Sequence, residues 1–197
     1  MQTQVKSRSA GKELATYIRQ RIDPLVLVGT GVFVFLYSLP VSQIDPHSIV
    51  WFVFLIVFLF VFRLYDDILQ ANSDIGKPDR NYTDVAVRKK LSILLIVFFV
   101  ILLVFASFLY WYVAVILLAF IGMNHVLYSL LVNDKTASGF LPLIKYPFAY
   151  VVLQLSDPAT SHFGILVLLS PVSLFIAFVV FESIDDQAFP VRAKYAS

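Results

Sequence analysis

Apolar residues run along this chain in long unbroken blocks, without the alternation of a half-buried strand or the single stripe of a soluble helix. Ile49 to Phe62 and Leu91 to Ala106 have almost no polar interruption. A helix needs about 20 predominantly apolar residues to cross a bilayer. The blocks predict six spans: Pro24 to Leu39, Ser48 to Leu64, Leu91 to Phe108, Trp111 to Val132, Gly139 to Leu155, and Phe163 to Phe181. Leu91 to Val132 is too long for one span. It divides at Ser107-Phe108-Leu109-Tyr110-Trp111-Tyr112, whose aromatics suit a membrane interface. The fifth span is short and contains Lys145, Pro147 and Gln154. The expected fold is all-α, a polytopic transmembrane helical bundle of about six spans. Residues 1–23 form an N-terminal segment, 24–186 the membrane domain and 187–197 a tail.

Composition agrees with this pattern. The chain of 197 residues is 59% hydrophobic, with 19 Phe, against about 45–50% apolar for a soluble domain. It has no cysteine, which excludes disulfides, thiol catalysis and cysteine metal sites. Net charge is +2, and its placement says more than its size. Five bases precede the first span, and Arg63, Lys77, Arg80, Arg88, Lys89 and Lys90 surround the connection between spans two and three. Lys135 and Lys145 flank the connection from four to five, and Arg192 and Lys194 follow span six. All 15 Lys and Arg thereby fall on one face, while Pro40 to His47 and Ser156 to His162 carry none. The positive-inside rule makes the basic face cytoplasmic, with both termini inside. The basic N-terminus followed by an apolar run has the outline of a signal peptide. Its basic region is long and no A-x-A-like site follows, so an uncleaved first helix is expected. Within it, residues 5–21 mix Lys and Arg with Leu14, Tyr17 and Ile18, the pattern of an interfacial helix.

Against this apolar background, two acidic clusters stand out. Asp66-Asp67 and Asp185-Asp186 end helices that reach the same side of the membrane. Carboxylates are costly beside lipid, so their presence there suggests a site. If the second helix continues, Asp67, Gln70 and Asp74 share one face at i, i+3 and i+7. Glu182, Asp185 and Asp186 do the same at the end of helix six. Phe62-Arg-Leu-Tyr-Asp66-Asp67 also echoes Phe181-Glu-Ser-Ile-Asp185-Asp186. Facing carboxylates suit Mg²⁺, which takes few protein ligands together with phosphate oxygens. A diphosphate held there would become a better leaving group. Lys77, Arg80, Lys145 and Arg21 are candidates to contact the same anion.

Here the chain resembles a known family. Arg63-Leu-Tyr-Asp-Asp-Ile-Leu-Gln-Ala-Asn-Ser-Asp74, followed by Gly76-Lys77-Pro78-Asp79-Arg80, is similar to the first aspartate-rich motif of the UbiA superfamily of intramembrane prenyltransferases. That motif reads N-D-x-x-D-x-x-x-D, with a later basic-Pro-x-Arg element. Asp66 takes the Asn position, Asp67 the first Asp and Asp74 the third, while Gln70 replaces the second. Glu182-Ser-Ile-Asp185-Asp186 stands where the family carries its second acidic motif, and Arg21-Ile-Asp-Pro24 is similar to its Arg-Pro element before helix one. The resemblance implies a helical bundle around a lipid-open cavity. It implies Mg²⁺-dependent transfer of a prenyl group from a prenyl diphosphate to an acceptor. Asp66, Asp67 and Asp74 would hold the metal from one side and Glu182, Asp185 and Asp186 from the other, with catalysis depending on Asp67 and Asp185. Aromatic walls would shelter the cationic intermediate. The acceptor is open among an aromatic, a quinone precursor and a sugar phosphate.

Two departures define the alternative. Gln70 is neutral, and six spans are read where the family has nine. A homodimer or a second membrane subunit is then expected to complete the cavity. Otherwise the chain is a non-catalytic membrane subunit that binds a lipid diphosphate. A carrier would place its ionisable groups near the bilayer midplane, unlike these. Asn124 and Tyr128, at i and i+4, are candidates to line an acceptor pocket, whereas His125 reads as a packing residue. His47 and His162 are too isolated for a metal. Ser138 lacks a nucleophile-elbow context. The bases follow topology and form no nucleic-acid groove.

Overall fold

The computed structural model describes residues 9–38, 46–72, 75, 81–131, 140–155 and 165–188; for 46–47, 165–168 and 181–188 only the backbone is described. All regular structure among these residues is helical. Helix α1 spans Ala10–Arg21, opened by Ser9, whose hydroxyl accepts from the Lys12 amide at 3.4 Å. The chain turns at Ile22 and Asp23 into α2, Pro24–Ser38, at 73° to α1. Pro24 suits a first helical position because it has no amide to satisfy. The Asp23 carboxylate accepts the Leu25 amide at 2.9 Å. Of the helix expected over residues 5–21, residues 10–21 are helical and set across the direction of the first span, and residues 5–8 lie outside the described residues.

Helix α3 is Pro46–Leu69. It continues past the expected end at Leu64, so Asp66 and Asp67 lie on the helix itself. The turn then begins at Gln70. The face expected to carry Asp67, Gln70 and Asp74 together ends there, and Asp74 lies outside the described residues. A short 3-10 turn, Asn81–Thr83, leads to α4, Val85–Leu109. Asp84 caps α4 by accepting the Ala86 and Val87 amides at 2.8 and 3.0 Å. One extended residue, Tyr110, separates α4 from α5, Trp111–Leu131. The predicted division of the long apolar run is thus correct to within a residue or two. A second 3-10 turn, Leu141–Ile144, runs into α6, Lys145–Leu155, and α7 spans Ile165–Ala188 with Pro171 inside it.

Among the described residues, three helices are long and apolar enough to cross a bilayer: Ser48–Leu69, Val85–Leu109 and Trp111–Leu131. The bent pair α1–α2 makes a fourth if taken as one span. The fifth and sixth expected spans correspond to shorter apolar helices, Leu141–Leu155 and Leu169–Val180. This is an integral membrane protein with several spanning helices. Its outer surface agrees, since α4 and α5 expose Ile93, Ile96, Val100, Val104, Leu118 and Val126. Such a continuous apolar face needs lipid around it.

Helix α3 is the axis of the bundle, with α2, α4 and α6 packed around it. Its Phe54, Leu55, Phe58, Val61, Phe62 and Leu64 are buried. Phe58 meets Phe148 of α6, and Phe148 stacks on Phe120 of α5 with centroids 3.7 Å apart. Helix α2 approaches α3 closely at Gly31, where an added Cβ would run into the end of the Ile56 side chain. The Tyr37 hydroxyl meets the Ser173 hydroxyl at 2.5 Å, linking α2 to α7. Gln154 of α6 donates to the Ser38 carbonyl of α2.

Candidate functional site

The last turns of α3 carry three charged side chains in five positions: Arg63, Asp66 and Asp67. Successive residues on a helix point about 100° apart, so Asp66 and Asp67 face different neighbours. Each is 2% exposed, and a buried carboxylate persists only with strong partners.

Asp66 faces α5 and α6. Its Oδ2 lies 2.5 Å from Lys145 Nζ, and its Oδ1 accepts from the Tyr128 hydroxyl at 3.1 Å. Lys145 is itself 4% exposed. Asp67 faces α1. Arg21 grips it with two parallel bonds, Nη2 to Oδ1 at 2.9 Å and Nε to Oδ2 at 3.1 Å. The Tyr17 hydroxyl donates to Oδ2 at 2.9 Å, and Arg63 Nε stands 3.7 Å from the same oxygen. Tyr17 and Arg21 are one turn apart on α1, so both meet Asp67 only because α1 crosses the end of the bundle. Burial and the Asp67 charge push the Tyr17 hydroxyl well above its usual range, so it remains a donor. Burial alone would weaken the Arg21 charge, but its bonds to Asp67 more than offset this and raise its pKa. Tyr17 also packs edge-on against Tyr82, and Arg21 lies over the same ring at 5.6 Å. A weaker contact completes the seam, with Lys90 Nζ 3.9 Å from buried Glu13.

Three bases and one acid, Asp23, line a cavity, whereas Asp66 and Asp67 do not. A pocket of about 180 Å³ is walled by Arg21, Asp23, Arg63, Lys145 and Tyr146, with Leu59, Thr30, Val26 and Phe178. A second, apolar groove of about 360 Å³ lies between α2 and α7. The two share Val26, Thr30 and Phe178 as lining residues. Beside the polar pocket, Tyr146 stacks on Phe178 with centroids 3.6 Å apart.

Several expected site residues are thereby located. Arg21 and Lys145 line the pocket. Asp66 and Asp67 stand behind them as counter-charges, all four of their oxygens engaged. Tyr128 is committed to Asp66. Asn124 is buried in α5 with its Oδ1 unpartnered and lines neither cavity. Asp74, Lys77 and Arg80 lie outside the described residues. Glu182, Asp185 and Asp186 fall in the last turns of α7, where side chains are not described. Among the described residues, no group of three or more His, Cys, Asp or Glu is placed to hold a metal ion. Sequence reading missed Arg63 and Tyr17 as site residues. The signals were available, since Arg63 precedes Asp67 by one helical turn and Tyr17 precedes Arg21 by one. No family model, curated protein or solved structure matches the chain.

Proposed function

We propose that the chain is a UbiA-like membrane protein of six spans, with termini and acidic clusters on the cytoplasmic face. It takes a prenyl diphosphate and transfers the prenyl group to an acceptor. The observation that carries this reading is the union of a cationic pocket with an apolar groove through shared walls. An amphiphilic anion needs that pairing, with donors for the head and hydrocarbon for the tail. In the reaction, the C1–O bond of the prenyl donor breaks and its electron pair leaves with the diphosphate. The acceptor's nucleophilic atom bonds C1 and gives up a proton. Arg21, Arg63 and Lys145 stabilise the charge that develops on the departing diphosphate. Tyr146 and Phe178, stacked at the junction, present aromatic surface to the allylic cation.

Mg²⁺, implied by the motif resemblance, would neutralise diphosphate charge when bound. Asp66 and Asp67 do not fit it as they stand, because Lys145, Arg21, Tyr17 and Tyr128 already occupy their oxygens. The test is product formation by the purified protein in mild detergent. Prenyl diphosphates of graded length and candidate acceptors would be supplied, with and without Mg²⁺. Transfer should fall to background in Asp67→Asn and Asp185→Asn, and activity surviving in both rejects the reading.

A second reading is favoured by the same occupied carboxylates together with neutral Gln70. In it the chain is a non-catalytic membrane subunit that binds the lipid diphosphate. It predicts binding without diphosphate release, and a partner subunit or second copy recovered at fixed stoichiometry.

A further inference from the structure

Charge in the site is unevenly distributed. Arg21, Arg63 and Lys145 line the pocket together with Asp23, while Asp66 and Asp67 are not among its walls, so the lining sums to +2 (three positive, one negative) and the cluster with both paired aspartates to zero. Asp23, the one acid in the lining, accepts the Leu25 amide at its Oδ1. The three bases are not equally committed. Lys145 sits 2.5 Å from Asp66 and is nearly sealed, and Arg21 is held by two bonds to Asp67. Arg63 approaches Asp67 only at 3.7 Å, and its side chain keeps 35% of its surface open. A guanidinium offers five donors in a planar fork matched to phosphate oxygens.

Resting on the lipid-diphosphate reading above, we propose that the pocket binds the phosphate head of a lipid directly on its basic wall. Arg63 makes the principal contact, no divalent cation bridges head to protein, and the tail lies along the groove between α2 and α7. The carboxylates act here as positioning residues. They hold Arg21 and Lys145 at the wall and leave Arg63 as the group with donors directed to a ligand. The tail follows from the shared walls, since a molecule whose head meets Arg63 can pass Thr30 and Phe178 into the apolar groove.

The experiment is equilibrium binding to the full chain in mild detergent. The probes are farnesyl diphosphate, inorganic diphosphate and farnesol, each measured in EDTA and in millimolar Mg²⁺. Farnesyl diphosphate should bind with similar affinity in both conditions. Farnesol should be weaker for want of a head, and inorganic diphosphate weaker for want of a tail. Arg63→Gln should weaken farnesyl diphosphate by about tenfold, the size of one charge-assisted hydrogen bond, and Arg63→Lys should restore part of it. Ala177→Phe, which fills the groove, should weaken farnesyl diphosphate and spare inorganic diphosphate. Loss of binding in EDTA, or an Arg63→Gln protein that melts normally and binds as wild type, overturns the proposal. Equal affinity for inorganic and farnesyl diphosphate overturns the tail assignment and points to a free phosphate as ligand. Absence of transfer with binding intact defeats the transferase reading alone, so the two failures are distinguishable.

Discussion

Replacing Asp67 by Asn tests what fastens α1 to the bundle. The substitution keeps the side chain's shape and removes its charge. Asp67's side chain is 4% exposed and Arg21's 17%, so this pair lies well away from the screened surface regime, where ion pairs contribute little. The change leaves Arg21 and Arg63 facing each other without a counter-charge. Removing one partner of a buried pair costs about 3–5 kcal/mol. Arg63 contributes charge attraction without a close hydrogen bond, since its Nε stands 3.7 Å from Oδ2. Within the total, the Tyr17 bond to a charged acceptor accounts for about 1.5–3 kcal/mol. Tyr17→Phe alone should therefore destabilise less than Asp67→Asn, and the double variant should cost less than the sum of the two. Two readouts apply in mild detergent: stability against added denaturant, and trypsin cleavage at Arg19, which is exposed on α1. Asp67→Asn should lower stability and speed cleavage at Arg19 ahead of global unfolding. An Asp67→Asn protein within about 0.5 kcal/mol of wild type, cleaved at the wild-type rate, would refute the view that this carboxylate anchors α1.

Other expectations follow from the same geometry. Lys145→Met strands Asp66 among apolar side chains and should cost about 3–5 kcal/mol; adding Asp66→Asn should recover much of it, as thermal denaturation would report. Asp84→Ala removes two amide contacts at the start of α4 and should cost about 0.5–2 kcal/mol, visible as faster amide exchange in the first turn of that helix. Gly31→Ala should be mild, because the obstructing atom is the mobile end of Ile56, whereas Gly31→Leu should separate α2 from α3 and reduce yield of folded protein.

Helix existence was readable because hydropathy depends on local sequence. The division at Tyr110 and the crossing helix before Pro24 both followed from residue type and spacing. The expected span ends at Leu64, while the helix itself runs on to Leu69 and carries the charges. Arg63, Asp66 and Asp67 instead remain helical, since α1, α5 and α6 supply their partners. Those partners lie 46 to 79 residues away, a separation no local pattern reports. For the same reason no local pattern shows that Asp66 and Asp67 are paired with Lys145 and Arg21, which line the pocket. Arg21 and Lys145, singled out by charge, line the pocket. Their role as ties as well as binders required the geometry.

The spacing of these ties along the chain orders its biogenesis. Ribosomal synthesis delivers α1 first, yet its anchor on α3 and its seat against Tyr82 emerge later. Asp66 waits longer still, until Lys145 has been translated. Up to that moment the aspartate has no ammonium beside it, and a bare carboxylate resists transfer into hydrocarbon. The early hairpin should therefore ride high in the bilayer, its acidic end in contact with water, and sink to final depth only when α6 arrives.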